Sequence, residues 1–129
     1  MEEMRLIVAG GREFTNFYVA RKTICGVLLH TSFDDVVVVN GGARGADTMG
    51  KKFADTYDIR SKLFPANWDK FGKRAGYMRN EQMAEYGTHL IAFWDEKSKG
   101  TKHMIKRAQA WGIFIAVFDY HGTCLEEYK

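Results

Sequence analysis

Apolar residues fall along this chain in two alternating patterns. Compact apolar runs occupy residues 5–9, 36–40, 89–94 and 113–118, and a more polar stretch, 60–64, ends in Leu63-Phe64. Between them, apolar residues recur three and four positions apart, as in Phe17, Ala20, Ile24, Val27 and Leu28, or Ala46, Met49, Gly50, Phe53, Ala54 and Tyr57. The first pattern predicts strands and the second one-sided helices. Residues 74–86 and a stretch carrying Met104, Ile105, Ala108 and Trp111 complete the helices. Thr15 is placed to cap the first helix, and Gly112 to end the last. Pro65, the only proline, stops the third strand. Val36-Val37-Val38-Val39 is apolar without alternation, as in a strand covered on both faces.

Strands alternating with helices predict a three-layer α/β domain with a five-stranded parallel sheet in the order 3-2-1-4-5. The whole chain, 1–129, reads as one domain with its core at about 5–118. A short tail, 119–129, is left to pair with a neighbour or pack over Cys124. In that order the chain reverses direction between strands one and four, and ligands bind beyond the carboxyl ends of the strands at such a point. The loops 10–14, 41–47 and 95–101 converge there, and the segment after strand three brings Arg79 and Asn80 to the same edge.

Composition narrows the class. An apolar fraction of 46% with 27% charged residues is that of a soluble globular chain. No run approaches the ~20 apolar residues of a membrane span, and Met1-Glu2-Glu3-Met4-Arg5 has the wrong charge for a signal peptide. Cys25 and Cys124 match no metal spacing, so a reduced, cytoplasmic protein without a metal is expected. The formal charge of +3 is mild, and Lys70, Lys73, Lys97, Lys99 and Lys102 read as solvated faces. That disfavours a nucleic-acid partner and leaves a small molecule as the expected one.

The candidate chemistry lies in the glycine turns. Gly10-Gly11-Arg12 follows strand one, and Gly41-Gly42-Ala43-Arg44-Gly45 follows strand two and opens a helix. Helix N-termini expose unpaired N–H groups and the positive end of a dipole, and glycine lets an anion approach closely, so these turns are suited to phosphate. Asn40 stands where a dinucleotide fingerprint needs its first glycine, and no acidic residue ends strand three. Both departures count against ordinary dehydrogenase use. Gly45 to Lys52 mimics a P-loop, but its lysine falls inside a helix and the magnesium-binding Ser/Thr is missing. Gly100-Thr101 opens the last helix, either as a second anion site or as a plain cap by Thr101. Arg12, Arg44 and Arg79 are the cations placed to clamp phosphate oxygens, Arg44 most strongly, with Asn80 beside Arg79. Asn67 and Trp68 would flank a ribose or base. Asp47 lies in a helix first turn, where it also favours the dipole. No Ser-His-Asp order or paired-cysteine site is present. Trp111, Phe114 and Tyr120 would suit the face of a homo-oligomer, a dimer or higher.

Taken in order, Ala9 to Phe14, Gly41 to Asp47, Phe64 to Trp68, Ala75-Gly76 with Arg79-Asn80, and Gly100-Thr101 with His103 resemble the YspA, cpYpsA-related branch of the SLOG superfamily. The likeness covers about residues 5–117. It implies a Rossmann-like fold and a site for a nucleotide-derived ligand, such as a nucleotide or an NAD- or ADP-ribose derivative, with no cofactor required. The superfamily includes the Lonely Guy phosphoribohydrolases, which cleave the N-glycosidic bond of nucleoside monophosphates. Their arginine would correspond to Arg79 and their Gly-Thr pair to Gly100-Thr101. Where their two glutamates stand, this chain has His103 and Met104. An oxocarbenium-like state wants a carboxylate nearby, so Asp47, Asp69 or His103 would have to carry such a hydrolysis. The single-strand-binding DprA proteins have a related fold.

Overall fold

In a computed structural model, which describes residues 3–128, six strands and five helices follow one another along the chain. The strands are β1 (Met4–Gly10), β2 (Val36–Asn40), β3 (Arg60–Leu63), β4 (His89–Phe93), β5 (Phe114–Phe118) and β6 (Cys124–Tyr128). The helices are α1 (Phe17–Val27), α2 (Ala46–Thr56), the one-turn α3 (Trp68–Phe71), α4 (Arg74–Tyr86) and α5 (Lys99–Trp111). Residues 1, 2 and 129, which enter the N-terminal charge and the end of the tail, lie outside the described residues.

The sheet order is β3-β2-β1-β4-β5-β6. The first five strands run parallel in the expected order. The sixth corrects the expectation of a five-stranded, all-parallel sheet: the tail folds back, and β6 pairs antiparallel with β5 from Ile115↔Tyr128 to Phe118↔Cys124. Its turn is local chemistry. Asp119 Oδ1 accepts hydrogen bonds from the amides of His121 and Thr123, and Gly122 takes a positive φ of 89°.

Side-chain alternation sorts the core into two layers. Leu6 and Val8 of β1 and Val36 and Val38 of β2 meet α1 and α2 on one face. Ile7 and Ala9, with Val37 and Val39, meet α4 and α5 on the other. β3 at one edge is exposed along its whole length, and it carries Arg60 and Lys62. Two expected caps move by a few residues. Asn16 rather than Thr15 caps α1, accepting from Val19 N, because it holds the extended backbone that a cap needs. Ser98 rather than Thr101 caps α5, since the helix begins at Lys99 and Thr101 already lies in its first turn. Among the described residues, no helix is long and apolar enough to cross a membrane, and no cluster of His, Cys, Asp or Glu has the geometry to hold a metal.

Candidate functional site

At the carboxyl rim of β1 and β4 the chain leaves a cleft of about 410 Å³. Its floor is built by backbone. Gly11 N donates to Phe93 O at 3.1 Å, and Gly11 O accepts from Ala46 N at 3.2 Å, which joins the end of β1 to β4 and to the start of α2. Gly45 makes this contact possible: its φ is 86°, and a Cβ there would overlap Gly11 O. Phe14 stacks on Phe93 beneath the floor with ring centroids 4.2 Å apart.

The loop after β2 is held from within. Asp47 is buried, and its Oδ2 accepts from the amides of Gly41 and Ala43, both at 3.1 Å. Asn40 Oδ1 accepts from Gly42 N at 3.0 Å. Arg79 lies across the same loop and donates from Nη1 to Gly41 O at 2.6 Å, where a Cβ on Gly41 would overlap its guanidinium. These glycines therefore admit protein groups. Their amides do not form the open phosphate cradle that the sequence suggested.

Arg79 and Asn80 join this loop to the start of α5. Arg79 Nε donates to Asn80 Oδ1 at 3.2 Å, and Asn80 Nδ2 donates to Gly100 O at 3.3 Å. The same Nδ2 is 3.2 Å from His103 Nδ1, whose ring stacks 4.3 Å from that of Tyr77. Burial lowers the His103 pKa, with Arg107 adding to the shift, so the ring is neutral near pH 7 and Nδ1 accepts from Asn80. Burial likewise raises the Asp47 carboxyl to about 6, against the opposing pull of the Ala43 amide, Arg79, the Gly41 amide and Arg12. The Arg79 pKa is lowered by burial, while the nearby Asp47 holds it up.

The remaining candidates separate cleanly. Gly10, Gly11, Arg12, Asp47, Trp68, Arg79, Asn80, Gly100 and Thr101 all line the cleft. Gly41, Gly42 and Arg44 line a smaller adjoining groove. Arg44 is exposed and pairs with Glu13 at 2.9 Å. Asn67 is spent as a cap on α3, accepting from Lys70 N at 3.1 Å. Asp69 is exposed and lines neither space, and His103 stands behind Asn80. Thr101 Oγ1 is engaged with Ser98 Oγ at 3.0 Å. Arg12, by contrast, is exposed and makes no ion pair or hydrogen bond among the described residues.

Several cleft residues were not called as site residues from the sequence, among them Gly76, Tyr77, Asp95 and Tyr120. Gly76 receives the Trp68 indole, 3.1 Å from where its Cβ would stand. Tyr77 and Asp95 form walls, and Tyr120 places its hydroxyl over Gly11. A glycine in mid-helix near a loop tryptophan was a usable signal for the first; the others depend on the tertiary fold. Tyr120 therefore belongs to the cleft. Phe114 lines a different hollow of about 650 Å³ between α1 and the uncovered half of the sheet, and Trp111 donates from α5 to Glu81. The three aromatics expected to share one oligomer face stand in three places. The larger hollow carries none of the candidate phosphate-binding, ribose-binding or catalytic residues.

Comparison with known proteins agrees with this architecture. The profile of the YspA, cpYpsA-related SLOG family matches residues 4–71. The chain belongs to that family. The match takes in both glycine turns and the Trp68 turn, and ends before Arg79. The Gene 61 protein of Mycobacterium phage D29 is 34% identical over 123 residues, covering 88% of this chain and 95% of that protein. Among solved structures, DNA processing protein A (DprA) from Streptococcus pneumoniae superposes with a TM-score of 0.70 at 19% identity, over 92% of this chain. This SLOG chain spans about half of that DprA chain, 50% of its length, and the likeness is one of fold.

Proposed function

We propose that the protein binds a phosphorylated, ribose-containing small molecule, a nucleotide or an NAD- or ADP-ribose-derived ligand, as a sensor, carrier or processing protein. The observation that carries this reading is the pair Arg12 and Arg79 on the wall of a cleft that also holds the faces of Trp68 and Tyr77. Arginine supplies planar donors for phosphate, and an indole face suits a base or sugar. The volume of about 410 Å³ is within the range of small-molecule sites. Membership of the SLOG family supports a nucleotide-related role in general. The rim offers side-chain cations more than backbone amides, so phosphate recognition rests on Arg12 and on Arg79 Nη2, the nitrogen left over from the bonds to Gly41 O and Asn80 Oδ1, with Gly100 N and Lys73 at the margin.

Calorimetry against AMP, ADP, ATP, ADP-ribose and a short oligothymidylate tests this reading. Saturable binding of at least one small nucleotide, with the oligonucleotide weaker, is the expected outcome. No heat from any nucleotide at millimolar concentration would reject it, and affinity that grows with oligonucleotide length would point to a DprA-like use instead.

The Asp47 carboxyl favours one second reading, an N-glycosidase of the phosphoribohydrolase kind. A carboxyl at about 6 on a cleft wall is tuned for proton transfer near neutrality, and neither Asp69 nor His103 lines that cleft. Incubation with nucleoside monophosphates should then release free base, and Asp47→Asn should abolish the release.

A further inference from the structure

The cleft does not end at its two arginines. A second groove, of about 270 Å³, continues beyond them, and the two spaces share Arg12, Ala43, Trp68 and Arg79 as a common wall. The larger space runs on toward Tyr77, Tyr120 and the start of α5. The smaller runs over the backbone faces of Gly41 and Gly42 to Arg44.

This placement bears on what kind of phosphate is bound. A terminal phosphate monoester is the end of its ligand, and a site built for it places the cations at a closed end. Here the cations stand between two open spaces. Arg79 is fixed there by Gly41 O and Asn80 Oδ1, and Arg12 has no partner among the described residues. The small groove alone, at about 270 Å³, is less than the ~300 Å³ usual for a ligand site, whereas it is ample for one sugar-sized group. Trp68 offers its indole to both spaces. It is held over Gly76 by the α3 turn, which Asn67 caps.

We infer that the ligand is two-ended: a phosphate-bridged molecule whose bridge lies at Arg12 and Arg79, with one substituent in the large cleft and a second in the groove of Gly41, Gly42 and Arg44. This rests on the nucleotide reading above and selects within it. The class is the nucleoside diphosphates esterified at the terminal phosphate, as distinct from free mono- and diphosphates.

Titration calorimetry of the full chain with ADP, ADP-ribose and P1,P2-diadenosine diphosphate decides the matter. Esterification removes a negative charge, so simple charge attraction ranks ADP first. The two-ended site predicts the reverse, with ADP-ribose or the diadenosine compound bound about 10-fold more tightly than ADP through the added contacts. In the Arg44→Ala variant that advantage should shrink about 5-fold while ADP affinity stays unchanged, because Arg44 lines only the smaller groove. ADP binding as well as or better than both esterified compounds would overturn the two-ended site and leave the nucleotide reading standing. Absence of binding by all three would overturn the two-ended site, and silence of AMP and ATP as well would overturn the nucleotide reading.

Discussion

The loop after β2 and the rim around Arg12 are neighbours, and they treat their polar groups in opposite ways. In the loop, the amides of Gly41, Gly42 and Ala43 and the carbonyl of Gly41 all meet protein partners, supplied by Asp47, Asn40 and Arg79. At the rim, Arg12 and Lys73 line the cleft without an ion pair among the described residues, and Trp68 is 48% exposed. Buried polar groups must be paired, and a chain that pairs them internally has committed them to its own structure. Groups left at a concave edge are available to something else. Glycine content alone does not separate the two cases; the acceptor of each amide does.

The largest effect that would break this contrast comes from Arg79. Arg79→Ala removes the bond to Gly41 O and leaves Asp47 buried beside one cation fewer. A loss of about 3 kcal/mol in urea denaturation is expected, with Arg79→Lys recovering only part because the two-point contact needs the guanidinium. A change under about 0.5 kcal/mol would mean that the loop stands without it.

Arg12→Ala sharpens the opposite side. Nucleotide affinity should fall about 10-fold while the melting temperature stays put, because the side chain is exposed and supports nothing else. Parallel loss of both would make Arg12 structural.

The smallest effect is one of pH. Protonation of Asp47 near pH 6 removes a negative charge that interacts with both Arg12 and Arg79, so anion affinity should rise a few-fold from pH 7 to pH 5. Asp47→Asn should flatten that rise. The sign for stability follows from the same shift. The carboxyl holds its proton more tightly folded than unfolded, so its contribution is complete below about 3.8 and is lost as pH rises through about 6. A variant with an unchanged pH profile would move the titration to another group.

Much of the fold was legible because its signals are local. Four apolar runs, four one-sided helices, Pro65 and Gly112 mark the elements, and the strand order follows from right-handed crossovers. The sixth strand was missed although Asp119 and Gly122 announce a turn, because Cys124–Tyr128 carries adjacent glutamates and lacks the apolar run that marks β2, β4 and β5. For the site, the residues at the carboxyl rim were recognisable from topology. Their partners were not. That Asp47 reaches back to Gly41 and Ala43, or that Asn67 caps its own turn, depends on loop geometry that spacing does not encode. Arg44, expected to dominate phosphate binding, stands instead in an exposed pair with Glu13 and lines only the smaller groove.

The two outermost strands set a rule for self-association. β3 presents Arg60 and Lys62 along one margin, and β6 presents Glu126 and Glu127 along the other. Pairing either margin with its own copy about a dyad would set like charges opposite each other, which disfavours continuous sheets across two molecules.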